Sequence, residues 1–153
     1  MRDFQLKLGA EAETIPGFLL WQVSKLWQRH LTIALQDLKL PSTQAVILAN
    51  VLRFTEERRP VTQADLAEVA KVDRMTASQS LQSLELKGYI TRKASPGDRR
   101  TNRVLLTTKG RRIALEAIKR FAATHNAFFS PLAGETDAIV SYLQQLIHAN
   151  ELA

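Results

Sequence analysis

Two β-forming stretches, Tyr89-Ile90-Thr91-Arg92-Lys93-Ala94 and Asn102-Arg103-Val104-Leu105-Leu106, flank Pro96-Gly97-Asp98 in a chain whose other periodicities are helical. Pro-Gly-Asp is turn chemistry, so the pair reads as a projecting hairpin. The chain is therefore expected to be mainly α with one small β-hairpin wing. Charge collects at the same place. From Lys87 to Arg112 nine Lys and Arg stand against the single acid Asp98, a local balance of +8, while the whole 153-residue chain carries +6. The remaining residues sum to −2, so the basic character is one patch. Charge concentrated on a short projecting segment is the electrostatic footprint of a nucleic-acid contact.

The segment before the hairpin gives that footprint a shape. Thr62 is placed to N-cap a short helix, with Asp65 in the reciprocal position of a capping box, and Leu66, Val69 and Ala70 define its inner face. Lys71-Val72 makes a tight turn. Asp73 caps a second helix running to Lys87, with Gly88 where a C-terminal glycine belongs. Two short helices joined by so brief a turn match a helix-turn-helix. Ala77, Leu81 and Leu84 share one face of the second helix; Met75, Gln79 and Gln82 lie opposite, with Arg74, Thr76 and Ser78 near its N-terminal end. No acid occurs between Asp73 and Glu85. A solvated face would use Glu and Lys, whereas Thr, Ser, Gln and one Arg suit base edges and phosphates.

Longer helices flank this centre. After Ile15-Pro16-Gly17, Leu20, Val23, Trp27, Leu31, Ala34 and Leu38 recur at helical spacing, and Leu19, Leu26 and Ile33 form a second row. Two rows are more than one neighbour can cover, so a partner subunit is expected. Lys39-Leu40-Pro41 ends that helix, and Ser42 is expected to cap the next, whose apolar set is Ala45, Ile47, Leu48, Val51, Leu52 and Phe54. Thr107 or Thr108 caps a long helix carrying Ile113, Leu115, Ala117, Ile118, Phe121, Ala122, His125, Phe128 and Phe129. A last helix is expected from Glu135 to His148, after the break at Ser130–Gly134; Met1 to Thr14 reads as an irregular arm.

Several function classes are disfavoured. With no Cys, disulfides, thiolate metal sites and thiol redox sensing are excluded. His30, His125 and His148 fall on three different helices, so no metal or cofactor is expected. Glu56-Glu57 is an adjacent acidic pair on a loop, Ser24, Ser42, Ser80 and Ser130 have no arranged His and Asp, and no glycine run cradles a phosphate. An enzyme is not expected. No apolar run approaches the ~18 residues of a membrane span, and the start lacks the apolar stretch of a signal peptide, so a cytoplasmic protein is expected.

Leu66-Ala67, then Leu84-Glu85-x-Lys87-Gly88-Tyr89-Ile90-x-Arg92, then Pro96-Gly97-Asp98-Arg99-Arg100 and Leu106-Thr107-Thr108-Lys109-Gly110, in this order and spacing, resemble the multiple-antibiotic-resistance regulator (MarR) family of winged helix-turn-helix transcription factors. The resemblance covers about Gly17 to His148. One departure is Ser95, where the family often has an acid. The resemblance implies a homodimer on a pseudo-palindromic double-stranded operator, usually as a repressor. Residues 1–40 would supply an arm and the first dimerisation helix, 41–108 the DNA-binding winged helix-turn-helix, and 109–153 the C-terminal dimerisation helices, as one interlocked unit. Carried onto this chain, it assigns Arg74, Thr76, Ser78, Gln79 and Gln82 to the major groove, Arg100 to the minor groove, and Asp98 to orienting neighbouring arginines. Arg99, Arg103, Lys93 and Thr62 become phosphate contacts. It also implies a small aromatic or phenolic effector, for which Trp21, Trp27, Arg29, His30 and Phe54 are candidate pocket residues. The competing non-enzymatic reading is an architectural DNA binder without a defined operator.

Overall fold

The computed structural model describes residues 14–95 and 98–151, with side chains described outside 95–102. Residues 1–13 and the turn residues Pro96-Gly97 lie outside the described residues, as do the side chains of Asp98, Arg99 and Arg100. Among the described residues, six α-helices and one hairpin follow in the order α1 (Pro16–Ala34), α2 (Ser42–Glu56), α3 (Gln63–Val69), α4 (Arg74–Leu86), β1 (Ile90–Ser95), β2 (Asp98–Leu106), α5 (Thr108–Phe129) and α6 (Thr136–Glu151). The expected mainly helical, winged architecture is the observed one.

The core sits in the middle of the chain. Ala45, Ile47, Leu48, Val51, Leu52 and Phe54 of α2 are all buried, as periodicity requires. They meet Leu66 of α3, Leu81 and Leu84 of α4, Ile90 and Val104 from the hairpin, and Ala114 and Ala117 of α5. The hairpin thus belongs to the core at its base and leaves it towards its tip. Val61 extends it: the Val104 N–H donates to the Val61 carbonyl at 2.9 Å, and Thr62 bridges to Arg103.

Several boundaries differ from expectation, among them the end of the last helix, which runs to Glu151 and not His148. The first helix does not run unbroken to Leu38; α1 ends at Ala34 and a 3-10 turn follows at Gln36–Leu38, with Lys39 left-handed at φ 51°. The break turns both Leu35 and Leu40 into the core. Ser42 is the first residue of α2 and not its cap; extended Pro41 holds the cap position, and its carbonyl accepts the first helical bond, from Ala45 at 3.0 Å. Strand β2 starts at Asp98, four residues before Asn102, because pairing across the hairpin carries the polar residues along.

The flanking helices are covered unevenly. Leu31 is the buried residue of α1, and none is buried in α6. Trp27 packs on α5, with ring centroids 5.3 Å from Phe128 and 5.9 Å from Phe129. Leu19, Leu20, Val23, Leu26 and Ile33 are left exposed on α1, as are Val140, Leu143, Leu146 and Ile147 on α6.

Candidate nucleic-acid interface

The helix-turn-helix is assembled from its caps. Thr62 and Asp65 form the expected capping box: the Asp65 carboxylate accepts from the Thr62 N–H at 2.8 Å, and the Thr62 hydroxyl accepts from the Asp65 N–H at 3.3 Å. The chain then reverses through Lys71, left-handed at φ 50°, with the Val72 N–H on the Ala67 carbonyl at 3.1 Å. Asp73 starts α4 by accepting from the Thr76 N–H at 2.8 Å and from its hydroxyl at 2.7 Å. At the far end Gly88 is left-handed at φ 71°, its N–H on the Glu85 carbonyl and the Tyr89 N–H on the Leu84 carbonyl. That is a Schellman closure, which needs a residue without a Cβ penalty and sends the chain directly into β1.

The Thr76 hydrogen bonds hold the Asp73 carboxyl below its ordinary range. A lowered folded-state pKa stabilises above the unfolded value and stops doing so as pH falls through the folded one. Asp73→Ala should therefore lower Tm by roughly 2–4 °C at neutral pH. The gap between variant and wild type should close on acidification, which thermal melts across a pH series would check.

Between these caps α4 is two-faced. Ala77, Leu81 and Leu84 are fully buried, while Arg74, Met75, Gln79 and Gln82 are exposed and Ser78 half-buried. Two residues expected at the DNA are engaged within the protein. The Thr76 hydroxyl donates to Asp73, and the Thr62 hydroxyl donates to Asp65 at 2.7 Å. A hydroxyl has one proton, so each would have to turn away from its carboxylate to donate to a phosphate or base.

The wing is fixed to α4 by a contact that sequence patterning did not single out as a tie. Arg92 on β1 donates through Nε at 2.9 Å and Nη2 at 2.6 Å to Glu85 Oε2. The guanidinium holds the Glu85 carboxyl below its usual range. Glu85 and Arg92 lie seven apart, either side of the Gly88 reversal, and that reversal was the only sequence signal that they could meet. Strand register sets the rest: Ile90 pairs with Leu106 and Ala94 with Asn102, an irregularity follows, and Ser95 pairs with Asp98.

The cationic stretch divides by partner. Lys87 Nζ donates to the Lys39 carbonyl at 3.1 Å and to Gln44 at 2.8 Å, and Lys109 Nζ to the Lys87 carbonyl at 2.9 Å. Arg111 pairs with Glu56 at 2.6 Å, both side chains half exposed. Lys87, Lys109 and Arg111, with Arg92, hold the lobe together. Lys93, Arg103 and Arg112 form no ion pair among the described residues.

The five candidate pocket residues do not converge within the chain. Trp21 is 58% exposed and stacks on Phe18. Trp27 joins His125, Phe128 and Phe129, and His30 touches Phe128 at 5.5 Å between centroids. Arg29 is exposed. Phe54 is 2% exposed in the core, with the guanidiniums of Arg53 and Arg59 over its ring at 4.8 and 4.7 Å. A shallow depression of about 360 Å³ beside Phe54 is lined by Arg53, Arg59, Ala64, Asp65, Glu68 and Val69, and by none of the other four. Among the described residues no three His, Asp or Glu side chains cluster, and no helix is long and apolar enough to cross a membrane.

Known proteins share this fold. A family model described as the MarR family matches residues 38–101. The uncharacterized HTH-type transcriptional regulator YdcH of Bacillus subtilis (strain 168) is 34% identical over 134 residues, spanning 88% of this chain and 90% of that protein. A Cys-to-Ser mutant of MarR from E. coli, complexed with operator DNA, is 26% identical with a TM-score of 0.75, over 91% of this chain and 98% of that one. The transcriptional repressor CouR, bound to a 23-mer DNA duplex, is 25% identical with a TM-score of 0.78, over 94% and 99%. The chain belongs to the MarR family of winged helix-turn-helix transcriptional regulators.

Proposed function

We propose that the protein binds a pseudo-palindromic DNA operator as a homodimer and represses transcription by occluding a promoter. The observation that carries this reading is the pairing of two surfaces at a set geometry. One is the exposed, acid-free face of α4; the other is the cationic wing, tied to α4 by Arg92 and Glu85. An α4 face of neutral hydrogen-bonding groups, with Arg74, reads base edges, Lys93 neutralises phosphate, and Arg99, Arg100 and Arg103 extend the contact along the wing. A second copy is the economical cover for the exposed apolar rows of α1 and α6, where Leu146 and Ile147 are each 54% exposed. Two-fold symmetry then presents two copies of α4 to successive major grooves.

A small aromatic or phenolic effector completes the reading. It would act by binding two spacings of the reading lobes unequally, since equal binding shifts nothing. The aromatic group around Trp27 and His30, where a second copy would close over α1 and α5, is the favoured seat.

Selection of bound fragments from random duplexes tests the proposal. The expected product is an inverted repeat with half-sites about one helical turn, roughly 34 Å, apart. Enrichment of nothing but flexible or A/T-rich DNA would replace the operator reading with an architectural one.

A further inference from the structure

Met75 is 71% exposed at the second position of α4, the part of such a helix that reaches base edges. Single exposed apolar residues are ordinary on a surface, so exposure alone decides nothing. Its position does. Met75, Gln79, Gln82 and Leu86 follow one line at i, i+4, i+7 and i+11, opposite buried Ala77, Leu81 and Leu84. From Met75 to Gln82 that line spans roughly 10 Å, about three base pairs. Among the described residues no aromatic or ionic contact holds the thioether, and its three rotatable bonds let it follow a surface that hydrogen bonds cannot. Of the groups on a major-groove floor, the C5 methyl of thymine is the apolar one.

We propose that Met75 is a specificity-determining residue, packing against the C5 methyl of one thymine in each operator half-site. The proposal rests on the operator reading above. Gln79, one turn further on, then has an adenine edge as its natural neighbour, because a carboxamide pairs bidentately with adenine N6 and N7. Leu86 lies on the same line at the opposite end of the helix, away from the end that enters the groove.

The test takes the operator selected by the full-length protein and replaces each thymine in turn with 2′-deoxyuridine, which removes the methyl and leaves the hydrogen-bonding edge intact. Wild type should lose roughly fourfold in affinity at one thymine per half-site, the value of burying one methyl-sized group. Met75→Ala should bind thymine and uracil duplexes equally at that position, Met75→Leu should restore the discrimination, and Leu86→Ala should discriminate as wild type does. Discrimination that survives Met75→Ala, or that disappears in Leu86→Ala, overturns the assignment, as does a wild type indifferent to every thymine methyl. A protein that selects no sequence overturns the operator reading itself, and Met75 with it.

Discussion

Gly110→Ala should destabilise the protein by about 3 kcal/mol or more, lowering Tm by roughly 6–12 °C. Helix propensity alone points the other way, since alanine is favoured over glycine in a helix by about 1 kcal/mol. The sign is decided by one close approach. Gly110 lies in the first turn of α5, and a Cβ built there would stand 1.8 Å from the Tyr89 carbonyl oxygen and 2.7 Å from its carbon. Both atoms are backbone, so no rotamer change relieves the clash. That carbonyl is also held in place, accepting from the Thr107 N–H at 3.0 Å. Accommodating a methyl would push the start of α5 away from the junction of α4 and β1, where wing and reading helix meet. Thermal melts of the variant would check this; a variant as stable as wild type would mean that the two segments are not packed so closely.

Arg100→Ala should weaken operator binding by roughly 5- to 150-fold per half-site, equivalent to about 1–3 kcal/mol. Its place near the hairpin end comes from the backbone of β2, and its groove-inserting role from the family resemblance. The loss should exceed that of Lys93→Ala at the same salt, because a phosphate contact positions the protein without reading sequence. Titration at fixed salt with no loss beyond scatter would remove Arg100 from the interface.

These two residues mark how far the sequence could be read. Asp73, the Thr62–Asp65 box, Gly88 and the buried set of α2 are local signals: each depends on neighbours within a turn or two, so spacing reveals them. Gly110 is different. Its requirement comes from Tyr89, twenty-one positions away in sequence, and a glycine in a helix carries no mark of what it touches. The Arg92–Glu85 tie was hidden for the same reason, with a chain reversal between its partners. The local bonds of the Thr62 and Thr76 hydroxyls were not legible either, because composition identifies a hydroxyl but not the partner of its one proton. The two apolar rows of α1 were legible as surplus, yet periodicity cannot say that Leu31 turns inward while Leu26 and Ile33 stay uncovered.

The most direct test of operator recognition is the ratio of affinities for the selected operator and a scrambled duplex of equal length, measured at one physiological salt concentration. Sequence reading through α4 and the wing predicts a preference of about 1,000-fold or more, with both affinities falling as salt rises. Equal affinity for the two duplexes would contradict it, leaving a basic hairpin that holds DNA without reading it.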